Sequence, residues 1–200
     1  MIPDWRQAIA DYIREQARPV DKYSHQPRLY ALACRLGTGL DHDDEVLYAA
    51  CWLHDLGVFI GHRPEDPAQL ARWDNLAYAL DKVPGLLAGW GFPATKIPAV
   101  LEAIAQHMPA SRPEAPAAVL LHDADLLEQL GAVGLLRAIA KVGRDTRYAT
   151  FADLLPVLTR AQALPEQLIL PQAQAEAAPR LALLTLFLSQ LAEEAQGAPL

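Results

Sequence analysis

Cysteine is scarce in this chain, with two among 200 residues, Cys34 and Cys51, both set in apolar stretches. That excludes a small scaffold held by disulfides, which needs several spaced cysteines. Long apolar runs are missing as well. None approaches the ~18 residues of a membrane span, and the opening MIPDWRQ carries no charged-then-apolar leader pattern. Basic residues are outnumbered: 17 Lys and Arg stand against 24 Asp and Glu, a formal net charge of −7. A surface that tracks the phosphates of a nucleic-acid polymer needs the opposite balance. Two-residue alternation and internal repeats are also lacking, which excludes β-sandwiches and solenoids. The expectation is an acidic globular protein of the cytoplasm that binds neither membranes nor nucleic-acid polymers.

What the chain does have is helical periodicity and 52% hydrophobic residues, enough for a sizeable core. Asp4 with Gln7 resembles a capping box before Ile9, Tyr12 and Ile13. A second helix is expected from about Ser24 to Leu36, with Leu29, Leu32, Ala33 and Leu36 on one face. A third, capped by Asp43 or Asp44, aligns Leu47, Ala50, Cys51 and His54, with Gly57 as its stop. The pattern falters at Pro84 and Gly85. It resumes after Thr95 in a helix that holds Ile97, Val100, Leu101 and Ile104 and ends near His107. The run AAVLLHDADLLEQL follows a proline-rich loop, Gly131 and Gly134 interrupt it, and LALLTLFLSQLAEEA makes a strong last helix. One all-α domain over residues 1–200 is expected, with residues 146–200 packing on a core of about 20–145.

The six histidines carry the chemistry. His54 continues the apolar stripe of its helix, so its imidazole points inward, and Asp55 follows directly. An ionised carboxylate buried without a partner costs several kcal/mol or protonates. A divalent cation resolves both placements, because neutral imidazole and carboxylate are ordinary ligands. His-Asp alone is a weak signal, and the chain holds two more copies, His42-Asp43 and His122-Asp123. The first sits in polar LDHDDE and reads as a loop and helix cap. His25 strengthens the case, lying one turn before Leu29 on an apolar face with Arg28 three residues on. Asp123 or Asp125, in an otherwise apolar helix, would complete four ligands from three helices. The periodicity of that helix makes Asp123 the more buried of the two.

In order along the chain stand HQPR (25–28), ACWLHD (50–55), FPATKI (92–97), AIAQH (103–107) and HDADLLEQLGAVGLLR (122–137). This series resembles the HD-domain phosphohydrolases, defined by H…HD…D, and most of all a small bacterial subgroup of them. The resemblance implies an HD-domain helical bundle and a divalent metal (Mn, Fe, Co, Ni, Zn or Mg) held by His25, His54, Asp55 and Asp125. Asp125 is preferred because the family places its last ligand in an A-D-x-L setting, here Ala124 to Leu127. Asp55 is then the acceptor of the attacking water's proton, and Arg28 and His107 bind phosphate or protonate the leaving group. His62, in the loop after His54-Asp55, is a further catalytic candidate. The implied activity is hydrolysis of a nucleotide or another small phosphate ester. Two departures stand out: His122 replaces the subgroup's Gln, and Leu126 replaces an Arg that could contact phosphate. Where the subgroup often carries serines, this chain has Trp73 and Asp74. Two other readings stay open. One is an HD-fold oxygenase or lyase with one or two metals, His62, Asp74 and His107 supplying extra ligands. The other is a module that senses nucleotides without turnover.

Overall fold

The computed structural model describes residues 4–145 and 147–199, and every element among them is helical apart from an isolated bridge between Ile60 and Arg63. The chain divides into two compact units at Ala124/Asp125.

The first unit is organised around a helix that is buried on every side. Helices α1 (Trp5–Gln16), α2 (His25–Leu36) and α3 (Asp44–Leu53) come first. In α3 every residue from Val46 to Leu53 is buried, as expected of a helix apolar all round. It packs against α1, α2 and α6 (Ile97–Ala105). Its start is fixed by Asp43, whose Oδ1 accepts from the amides of Glu45 and Val46 at 3.0 and 3.3 Å. Lys96 binds the same carboxylate at 2.6 Å. Asp4 caps α1 by accepting from the Arg6 amide at 3.1 Å, but the expected return bond from Gln7 is not made. Gln7 donates to Asp11 instead, one turn on.

Several boundaries differ from the sequence pattern, each for a local reason. Helix α4 is a single turn (Pro67–Leu70), and α5 (Asn75–Gly89) runs straight through Pro84. Its buried face of Ala79, Val83 and Leu87 holds the helix across the bond that Pro84 cannot make. Thr95 caps nothing: it lies in a 3-10 turn, Ala94–Lys96, and α6 starts at Ile97 with Pro98 in its first turn. Gly57 is not a helix stop either. It sits inside a 3-10 turn, Leu56–Val58, that follows Asp55.

Helix α7 (Pro116–Glu128) runs from the first unit into the start of the second. The second unit continues with α8 (Gly131–Ile139), α9 (Phe151–Ala161) and α10 (Pro171–Ala195), which pack on one another pairwise. Thr150 and Asp153 form a reciprocal capping box at the start of α9. The final helix begins ten residues before its strongly apolar segment and tolerates Pro179. Among the described residues, no helix is long and apolar enough to cross a membrane.

Candidate metal centre

Three helix ends of the first unit bring their histidines together. His25 is the first residue of α2, His54 directly follows α3, and His107 lies two residues beyond α6. All three rings are buried, His54 completely. The His54 ring stands edge-on between the other two, with centroids 5.5 Å from His25 and 5.0 Å from His107. Asp55 completes the cluster. Its Oδ2 lies 3.6 Å from His54 Nε2 and 3.8 Å from His25 Nε2. His54, Asp55 and His107 offer ligand atoms that all lie within 4.8 Å of one another.

The hydrogen bonds at the far side of two rings fix their chemistry. His54 Nδ1 lies 3.1 Å from the Cys51 carbonyl, and His107 Nδ1 lies 2.6 Å from the Ile104 carbonyl. A carbonyl only accepts, so each Nδ1 carries the proton and each Nε2 keeps its lone pair. This is the tautomer that a metal-binding imidazole needs, with the second nitrogen held by the protein. The separations of Asp55 Oδ2 from the two Nε2 atoms exceed hydrogen-bond range. They come close to the spacing of about 3.0–3.5 Å for neighbouring donors that share an ion at about 2.1 Å. Neutral imidazoles and a carboxylate thus fit a divalent cation by donor type, tautomer and spacing.

Three other residues singled out in the sequence, His62, Asp74 and His42, have partners outside this cluster. Both nitrogens of His62 are engaged: Nδ1 lies 2.9 Å from the Tyr78 hydroxyl and Nε2 lies 2.8 Å from Gln16 Oε1. Burial lowers the pKa of His62 below the usual histidine value, which favours a neutral ring that accepts from Tyr78 and donates to Gln16. Asp74 caps α5, accepting from the Ala77 amide at 2.9 Å. His42 binds the Leu40 carbonyl through Nδ1, and Asp43 serves as the helix cap. Arg28 is half-buried one turn along α2 from His25.

On α7, Asp123 is fully buried and its Oδ1 lies 2.8 Å from Nδ1 of the equally buried His122. The periodicity of α7 pointed to this burial. Asp125, the first residue of the second unit, is half-buried and accepts from Gln129 at 3.2 Å. Leu126, in place of the subgroup's Arg, is fully buried.

Sequence reasoning missed how closely the Asp55 turn is held. A Cβ on Gly57 would lie 2.5 Å from the Asn75 carbonyl oxygen and 2.7 Å from its Cα, so only glycine fits beneath α5. The Gly57 carbonyl accepts from the Trp73 indole at 2.8 Å. Glycine after an H-D-L run was the available signal, and it read as a helix end rather than a close approach.

No family model matches the sequence, and no curated protein does. Solved structures do match, over nearly the whole chain. Bacillus subtilis YpgQ in complex with ADP aligns with a TM-score of 0.70 and 20% identity, over 96% of each chain. A Lactobacillus plantarum protein aligns with a TM-score of 0.71 and 20% identity, over 98% of this chain and 99% of its own. An HD-superfamily hydrolase from Bacillus thuringiensis aligns with a TM-score of 0.66 and 20% identity, over 96% of this chain and 97% of its own. The all-α fold of this chain is therefore the fold of these structures, an HD-superfamily hydrolase among them.

Proposed function

We propose that this protein is a metal-dependent phosphohydrolase acting on a nucleotide or another small phosphate ester. The observation that carries this reading is the convergence of His25, His54, Asp55 and His107, with Nδ1 of His54 and His107 held by backbone carbonyls. His25, His54 and Asp55 would hold the divalent ion, and Asp125 on α7 is the fourth ligand we assign, on the strength of its A-D-x-L setting. When bound, the ion supplies a Lewis acid that polarises a phosphoryl oxygen and eases deprotonation of water.

The remaining chemistry belongs to side chains. Asp55 accepts the proton of the attacking water through a carboxylate oxygen. His107, with Nδ1–H anchored on Ile104, is assigned to the phosphate or the leaving-group oxygen through Nε2. Arg28 supplies a guanidinium for the phosphate oxygens, a geometry that fits two of them at once. The distribution of ligands favours one cation over two. Of the three residues that could serve a second ion, Asp74 caps a helix and His62 has both nitrogens bound, which leaves His107 alone. A nucleotide is supported as substrate by the ADP held by YpgQ.

The test is elemental analysis of the purified protein joined to a release assay on the same sample. Nucleoside mono-, di- and triphosphates and a simple aryl phosphate are offered with Mn2+, Co2+ or Mg2+, and phosphate and pyrophosphate are both measured. Metal-dependent release that chelation removes is the expected result. Protein that takes up no divalent ion and releases neither product would overturn the reading.

A further inference from the structure

We propose that Trp73 is a positioning residue for Asp55, holding the turn that presents its carboxylate through the indole N–H bound to the Gly57 carbonyl. The inference rests on the reading of Asp55 as a metal ligand and names what keeps it in place.

Asp55 lies outside any regular helix. Its backbone is followed by one 3-10 turn, Leu56–Val58, and a helix this short has little cooperativity of its own. Something outside the turn must hold it. The Asp55 and Leu56 carbonyls accept from the Val58 and Phe59 amides at 3.0 and 3.5 Å inside the turn, whereas the next two carbonyls, of Gly57 and Val58, are held from elsewhere. Gly57 O accepts from Trp73 Nε1 at 2.8 Å, and Val58 O accepts from Lys22 Nζ at 2.7 Å. Asn75 closes the other side of Gly57 at a distance that leaves no room for a side chain. Residues 73–75 therefore grip the turn by a hydrogen bond and by backbone contact at a single glycine.

Trp73 is itself held. Its ring lies 5.2 Å from the Tyr78 ring, and the Tyr78 hydroxyl is bound to His62, which reaches Gln16 at the end of α1. His62, expected in the sequence to meet substrate, thus stands at the far end of a strut: Gln16, His62, Tyr78, Trp73, Gly57. An indole donor on a rigid two-torsion side chain loses little freedom when it binds, so it suits a fixed contact to a backbone carbonyl.

The experiment compares wild type with Trp73→Phe, which keeps an aromatic side chain but loses the indole N–H and some bulk. Trp90→Phe, at a tryptophan packed on Tyr12, controls for lost bulk. Two readouts are taken. Amide exchange of residues 54–60 in metal-free protein should quicken by about fivefold in Trp73→Phe, the worth of one hydrogen bond. Affinity for Mn2+ or Co2+, read by titration and by the Co2+ absorption spectrum, should weaken by about tenfold. The thermal transition should fall by no more than about 4 °C in Trp73→Phe, the shift one lost hydrogen bond gives in a chain of this size, and Trp90→Phe should change neither readout. Unchanged exchange and affinity in Trp73→Phe would overturn the proposal. If wild type takes up no divalent ion, the metal reading of the site fails instead, and the exchange rates, which need no metal, still decide on Trp73.

Discussion

Replacing His54 by alanine separates the metal site from the fold that carries it. The side chain is completely buried, and its Nδ1–H binds the Cys51 carbonyl at 3.1 Å. Truncation therefore leaves a cavity and a lost bond, at a cost of about 2–4 kcal/mol. A chain of this size with ordinary stability remains folded after such a loss. Metal binding responds on a different scale. Removing even an outer partner of a ligand weakens a site by up to about a hundredfold, and a ligand itself matters at least as much. Consider wild type with Mn2+ at about one hundred times its dissociation constant. Binding then adds about 2.7 kcal/mol of stability, or a rise in Tm of roughly 5–10 °C at about 2–4 °C per kcal/mol. With affinity about a hundredfold lower, the same Mn2+ adds about 0.4 kcal/mol, less than about 2 °C. The assay is thermal unfolding by circular dichroism, with metal and with chelator, for both proteins. The difference between the two conditions cancels the cavity cost. A Mn2+-induced rise in His54→Ala equal to that of wild type would refute the ligand assignment.

Two glycines should respond to alanine with opposite signs. Gly134 lies in α8, and a Cβ there would collide with the Gln129 backbone carbonyl. Overpacking of about 1–3 kcal/mol outweighs the gain of up to about 1 kcal/mol in helix propensity, so Gly134→Ala should lower the urea midpoint. Gly85 lies inside α5 with nothing within 4 Å of its Cβ position. Gly85→Ala should raise the midpoint through a gain of about 0.5–1 kcal/mol in stability, and a fall would show that α5 is not continuous there. A third prediction concerns acid. Burial lowers the pKa of His62, so its contribution to stability is complete above the unfolded value near 6.5 and is lost as pH falls through the folded value. Glutamine can keep both bonds without titrating. The fall in urea midpoint from pH 7.5 to pH 5.5 should therefore be smaller in His62→Gln than in wild type, and an equal fall would show that His62 does not titrate in this way.

The parts of the fold written in short-range pattern could be read directly. The stripe Leu47, Ala50, Cys51, His54 defined both the central helix and an inward-facing imidazole, and α3 is buried along that line. The order of the H-x-x-R, HD and A-D-x-L segments pointed to the HD fold. What could not be read depends on pairs far apart in sequence. Nothing near His62 marks Gln16, 46 residues before it, as its partner. Gly57 and Asn75 approach across 18 positions, and the clash that makes glycine necessary exists only once α5 is in place. Pro84 looked like a break because local propensity cannot weigh the packing of the rest of its helix.

The carbonyls that hold His54 and His107 belong to the last turns of α3 and α6, where helix carbonyls lack partners from their own helix. Each ring therefore completes its helix before any cation arrives. Ligand side chains normally lose rotamer freedom on binding metal; here that loss accompanies folding itself. The expected consequence is kinetic. If His54 holds the ion as proposed, uptake needs no rearrangement of its ring, so the rate is set by access to the pocket and by dehydration of the incoming ion.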